Sequence, residues 1–255
     1  MTVQDGEWNQ VSRKKGRLRH VPVPKVKESL VEQLGVRPNP NPESTVDDIL
    51  SHHDVVSQEW LASDCWKALR DTLSDALSTQ GRPPITKAVC LGPGPYDPSN
   101  GSAAARRTAH MQTAAFRSIV DMIGSHGHQK IKRIIQEPAF TQTDNVFCAR
   151  LGLEVVETPA AFSIVDPNTL LFGIHMELPT YHEALKTLPG VFVGVGLGEW
   201  ESLVDFDPQT RSLLGPFTEM DATYDKFGFP DLNYIFFGTT IYWRKMEGPN
   251  RVLAP

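Results

Sequence analysis

The spacing of apolar residues divides the chain into segments of different rhythm. Residues 1–42 have none: Arg13 to Lys27 is basic and interrupted by Pro22 and Pro24. Pro38, Pro40 and Pro42 then alternate with asparagine in a stretch that no helix or central strand tolerates. Only Leu30 to Leu34 has the spacing of a brief helical turn. Beyond Glu43, Val46, Leu50, Val56, Trp60, Leu61, Trp66, Leu69, Leu73 and Leu77 recur at helical intervals. Ser44 or Thr45 is the expected N-cap, with Asp47 and Asp48 in the first turn, where the helix dipole favours carboxylates. The pattern predicts one long helix, or two broken near Ser63, within residues 43–80, stopped by Gly81 and Pro83-Pro84. Trp60 and Trp66 read as core anchors.

After the double proline, short apolar runs alternate with helical ones. Strands are expected at Thr86 to Leu91, Ile131 to Gln136, Leu153 to Glu157, Thr169 to His175 and Val191 to Val195. Helices are expected at Ser102 to Ile123, Thr141 to Leu151 and Thr180 to Leu188. Apolar runs alternating with helices imply crossover connections and a mainly parallel sheet covered on both faces. The fold class is therefore α/β, Rossmann-like and methyltransferase-like, with its core over residues 86–204. Residues 205–231 read as loop, given Pro208, Gly215, Pro216, Gly228 and Pro230, and Tyr234 to Trp243 as one closing strand.

Charge adds a partition that the overall −5 conceals. Residues 1–27 hold seven Lys/Arg against Asp5 and Glu7, while the rest of the chain holds 18 against 28. A flexible basic arm thus precedes an acidic α/β domain at 43–255. The arm is suited to a protein partner or nuclear import, whereas the body repels phosphate, so nucleic acid is not expected there. No apolar run reaches the ~18 residues of a membrane helix, and the N-terminus lacks a secretory pattern. Three scattered cysteines, Cys65, Cys90 and Cys148, offer neither a disulfide framework nor a metal module, in keeping with a cytoplasmic or nuclear location. Neither His52-His53 nor His126-x-His128 puts two ligands on one helical face, so no metal site is expected.

In open α/β sheets, ligands bind outside the carboxyl ends of the strands, where strand order reverses. Gly92 and Gly94, after the first strand, permit close backbone approach, but Asp97 stands where a dinucleotide loop has its third glycine. Pro93, Pro95 and Pro98 also remove donors that a phosphate would use. Glu137 ends the second strand, where an acid accepts from ribose hydroxyls. These residues, with Gly196 after the fifth strand, are the candidate contacts for a small-molecule ligand of nucleotide or S-adenosylmethionine type. A structural turn explains the glycines equally well. His175 and Tyr181 are the candidate catalytic residues, with a satisfied, partly buried histidine as the alternative. No Gly-x-Ser-x-Gly elbow occurs, and neither Cys90 nor Cys148 has an evident basic partner.

The ordered set of these features resembles the SRR-type ("sensitivity to red light reduced") domain family over roughly residues 86–204. It comprises Trp8-x-x-Val11 with its basic run, Cys90-x-Gly92-x-Gly94 with Arg106 and Gln112, and Glu137-Pro138 before Phe140. Leu151-Gly152, Asp166-x-x-Thr169-Leu170, His175 and Tyr181 follow. Glu137 replaces the family's usual Asp, Ile174-His175-Met176 keeps only the histidine of Met-Pro-His-Cys, and Gly196-Leu197-Gly198 stands for Gly-Asn-Ser. Phe237-Gly238-Thr239-Thr240 stands for Asn-Asp-Thr-Ser, as in a divergent, fungal-style member. The resemblance implies a Rossmann-like fold and a regulatory role in circadian, light or stress responses, with no established reaction. A methyltransferase and a non-enzymatic interaction module are the rival readings.

Overall fold

A computed structural model describes residues 41, 43–79, 81–203 and 208–245. The expected Leu30–Leu34 turn and the basic arm lie outside the described residues.

Thr45 opens the first helix, α1 (Val46–Ala62), with a reciprocal capping box to Asp48. Ser63 closes α1 and, through its hydroxyl, caps the next helix, α2 (Asp64–Ser78). The break near Ser63 is therefore two caps on one residue. The parallel strands follow as β1 (Lys87–Leu91), β2 (Lys132–Gln136), β3 (Glu154–Val155), β4 (Thr169–Gly173) and β5 (Val191–Val195). Helices α3 (Ala103–His126), α4 (Gln142–Arg150), α5 (Leu178–Ala184) and α6 (Leu197–Leu203) alternate with them, and a 3-10 turn spans Ala160–Ile164.

The tail departs from expectation. Residues 208–228 form α7 (Pro208–Ser212), α8 (Gly215–Thr223) and an edge strand β6 (Tyr224–Gly228). Pro216 lies in the first turn of α8, where a missing N–H costs nothing, so this proline starts a helix rather than breaking one. The closing strand β7 (Thr239–Arg244) begins five residues later than Tyr234. Residues 229–238 stay a loop because the Asp231 carboxylate accepts the N–H groups of Tyr234 and Phe236 at 3.0 Å each, turning the backbone away from the sheet. The fourth strand also stops early, at Gly173, and α5 starts at Leu178 with Pro179 in its first turn.

The seven-stranded sheet runs β3-β2-β1-β4-β5-β7-β6, with β7 antiparallel to both neighbours and the other pairings parallel. This is the expected Rossmann-like, methyltransferase-like α/β arrangement. Strand order reverses between β1 and β4, where Leu91 pairs with Gln136 on one side and Gly173 on the other. Alternate strand residues feed two cores. Cys90, Ile135, Phe172 and Val193 face α1 to α4, and Trp60 is fully buried there. Leu91, Ile134, Leu171 and Phe192 face α5 and α8.

Between α1 and α3 lies a buried histidine pair. His53 Nδ1 is 3.2 Å from His110 Nδ1, while Ser57 Oγ and the Arg117 guanidinium approach His53 Nε2 at 3.1 and 3.3 Å. Burial and the nearby Arg117 charge lower the His53 pKa to about 3, and burial beside the other imidazoles depresses His110 too. Both rings stay neutral in the fold but take up protons when unfolded, so stability present above pH ~6.5 is lost on acidification towards the folded values. Each histidine contributes about 1.4 kcal/mol per pH unit in that window. The urea midpoint should therefore fall by an amount worth roughly 2–4 kcal/mol between about pH 7 and pH 5, before carboxylates titrate. Equal midpoints at the two values would refute the neutral pair.

Candidate functional site

The exits of β1, β2 and β4 meet where strand order reverses. Gly92 and Gly94 have φ of +60° and +89°, a left-handed region that side chains disfavour, so the loop after β1 can turn back across the strand ends. A Cβ at Gly92 would collide with Met176 Sδ: the methionine lies over this glycine and within van der Waals reach of Gly173.

The Glu137 carboxylate joins the two neighbouring exits. Its Oε2 accepts the Gly94 N–H at 3.0 Å and its Oε1 the Ala139 N–H at 2.8 Å. The sequence-distant glycine and acid are thus in direct contact. Gly92 N–H donates to Gln136 O at 2.9 Å, and Tyr96 N–H to the buried Asp144 carboxylate at 3.1 Å. With prolines at 93 and 95, residues 92–96 have their donors either engaged or missing. Tyr96 itself is buried, its ring 5.4 Å from Phe140 and 4.3 Å from Phe147, its hydroxyl 2.8 Å from Thr113 Oγ1. Asp97, also buried, pairs with Arg106 on α3 at 3.0 Å.

Tyr181 is buried on the α5 face. Its hydroxyl donates to Gly173 O at 2.6 Å and accepts from Val195 N–H and Met176 N–H at 3.3 and 3.4 Å. One donor and two acceptor positions are all a phenol has. The group thus ties the exit of β4 to that of β5, and burial raises its pKa. His175 is different. It is exposed, holds φ of +53°, and puts Nε2 2.8 Å from the Phe237 carbonyl. A carbonyl only accepts, so Nε2 carries the proton and the neutral ring's lone pair is on Nδ1.

Gly196 does not join this group. A Cβ there would lie 2.6 Å from Thr240 Oγ1, so the glycine permits close packing of β5 on β7. It borders a separate open cleft of about 300 Å³ with Glu199, Asp221, Lys226 and Tyr242. The resemblance residues Asp166 and Thr169 lie at the opposite end of the sheet, in a turn where Asp166 accepts from Asn168 N–H and the Thr169 hydroxyl and pairs with Lys87.

The five exit loops, residues 92–102, 137–141, 174–177, 196–203 and 229–238, hold Asp97, Glu137, Glu177, Glu199, Glu201 and Asp231 and not one Lys or Arg. Apart from Asp97, which Arg106 in the first turn of α3 neutralises, these carboxylates leave the loops acidic. All three cysteines are buried, and burial raises each thiol's pKa, Cys65 to about 11, which leaves them poor nucleophiles at neutral pH. Sequence reasoning missed Met176, Tyr96 and the 229–238 loop. The prolines around Tyr96 and the Asp231-x-x-Tyr234 spacing of an Asx-type turn were the available signals.

Tyr181→Phe leaves two buried N–H groups and one carbonyl short of a partner. It should cost roughly 2 kcal/mol in urea denaturation, and an unchanged midpoint would show that the hydroxyl does not hold the two strand ends together.

No curated protein matches the chain at a significant level. A chain of the Haloferax volcanii complex between the Trm112 methyltransferase activator and a methyltransferase is similar at 14% identity and a TM-score of 0.33, over 74% of this chain and 98% of that one. The SRR1 domain family matches residues 56–243, a span that includes β1 to β6, all but the last residue of β7 and each residue of the strand-exit edge, and the protein belongs to that family.

Proposed function

We propose that this SRR1-domain protein is regulatory and binds a small adenosine-type ligand without phosphates, S-adenosylmethionine being the type case, at the exits of β1 and β2. The hydrogen bond from Gly94 N–H to the Glu137 carboxylate carries the reading. It puts an oriented acid where a ribose is held in nucleotide-binding sheets. It also spends on a carboxylate the N–H that a pyrophosphate would need.

Electrostatics favour the same ligand class. Exit loops with six carboxylates, one of them paired with Arg106, and no Lys or Arg of their own favour the sulfonium and ammonium of S-adenosylmethionine over ATP or NAD. Gly92, Gly94 and Glu137 would hold the ligand, and Met176 would cover it. Bound there, S-adenosylmethionine supplies an electrophilic methyl group. Binding without turnover is the favoured reading, because the Tyr181 hydroxyl is fully engaged and the thiols are buried.

Isothermal titration of the full chain with S-adenosylmethionine, ATP and NAD tests this. Heat is expected with the first alone, and Glu137→Gln should weaken it by roughly tenfold or more while the circular dichroism spectrum is unchanged. Heat with ATP or NAD but not S-adenosylmethionine, or with none of the three, would remove the proposal.

A further inference from the structure

The loop joining β6 to β7 presents two large aromatic side chains to solvent. Tyr234 is 80% exposed and Phe237 57% exposed, with ring centroids 6.4 Å apart and planes tilted by 48°. Among the described residues, only four that are not glycine have positive φ, and three of them meet here: His175 at 53°, Asn233 at 53° and Tyr234 at 64°. A left-handed conformation at a bulky tyrosine is disfavoured and persists only where surrounding contacts impose it. Those contacts are specific. Asp231 holds the N–H groups of Tyr234 and Phe236, and the Phe237 carbonyl holds His175 Nε2. Phe236, between Tyr234 and Phe237 in sequence, is fully buried against Trp60 and Phe229 and anchors the loop, while the turn leaves Tyr234 and more than half of Phe237 in water. Two neighbouring aromatic faces left in water form an exposed apolar patch of the kind that a partner covers.

The chemistry of that partner follows from charge. Asp231 begins the loop, Glu177 is exposed two residues beyond His175, and the Glu199 side chain packs on Gly238. No Lys or Arg lies on any of the five exit loops. Aromatic faces attract cations through the ring quadrupole, and guanidinium also stacks flat on them. Carboxylates beside such rings add a charge-assisted partner for the same group. We infer that Tyr234 and Phe237, on an edge that also carries Glu177 and Asp231, form a docking surface for an arginine side chain of a basic peptide segment in a partner protein. The rings take the face of the guanidinium and the carboxylates its edge. A polyanion is repelled by the same acids, and a purely apolar partner leaves them without a counter-charge. This surface is separate from the Glu137 exit and does not depend on the ligand proposed there.

Fluorescence anisotropy of the full chain with a labelled peptide of alternating arginine and glycine is the test, with lysine–glycine and glutamate–glycine peptides as comparisons. The arginine peptide should bind, the lysine peptide several-fold more weakly through loss of stacking, and the glutamate peptide not at all. Tyr234→Ala combined with Phe237→Ala should weaken arginine-peptide binding by roughly tenfold; both side chains are exposed, so folding is spared. Glu177→Gln should weaken it a few-fold. Equal affinity in the double variant, equal binding of the glutamate peptide, or no binding by the unaltered chain would overturn the inference. Glu137→Gln should leave peptide affinity unchanged and the double variant should leave S-adenosylmethionine heat unchanged, so each proposal can fail alone.

Discussion

The carboxyl edge is organised by the position of β1, which pairs with β2 on one side and β4 on the other. Successive strands are laid outward from β1 to β3, and the chain then returns across β1 to add β4 and β5. The helices after β1 and β4 therefore lie on opposite faces, and the exits of those two strands meet at the point where strand order reverses. Three polar anchors determine what those exits look like. Glu137 draws the glycine loop towards β2, Asp144 holds Tyr96 down into the core, and Tyr181 ties β4 to β5. Each anchor is a side chain satisfying buried or half-buried backbone groups. Without them, the exits would carry unpaired N–H and C=O groups at a cost of about 1–3 kcal/mol apiece.

One consequence is a loop that resembles a nucleotide cradle in its glycines and differs from one in its donors. Glycine at 92 and 94 allows the turn, and proline at 93, 95 and 98 with carboxylates at 137 and 144 removes the attraction for phosphate. Across the same edge, Asp231 shapes the β6–β7 loop so that Phe236 is buried while Tyr234 and Phe237 face water. The acidic edge thus offers two distinct chemistries side by side: an acid aligned beside a glycine turn, and aromatic faces beside carboxylates.

Much of this was legible in the chain. Buried parallel strands are short runs dominated by apolar residues, so β1, β2, β4 and β5 stand out against their helices, and Ser63 and Thr45 are residues whose hydroxyls cap helices. The pairing of Gly94 with Glu137 was approachable because both end strands. The tail was harder to read, because Pro208, Pro216 and Gly215 serve equally as loop residues and helix starts. Only packing of Phe217 and Met220 on the sheet decides between them. Tyr234 to Phe237 has the composition of a strand and is a loop, since Asp231 captures its N–H groups before a neighbouring strand can. Tyr181 is a reactive-looking tyrosine whose hydroxyl three backbone groups from different exits occupy.

By itself the sequence determined the periodicities, the caps, the acidic body and the set of strand ends at which function would lie, because these depend on residues close along the chain. Tertiary structure alone decided which ends meet. It separated Gly196 from Gly92 and Gly94, turned Asp166 to the far edge, buried His53 against His110, and exposed Tyr234 and Phe237 beside His175. Those outcomes rest on contacts between residues tens of positions apart, and the burial that sets their charge and hydrogen bonding exists only once the sheet has assembled.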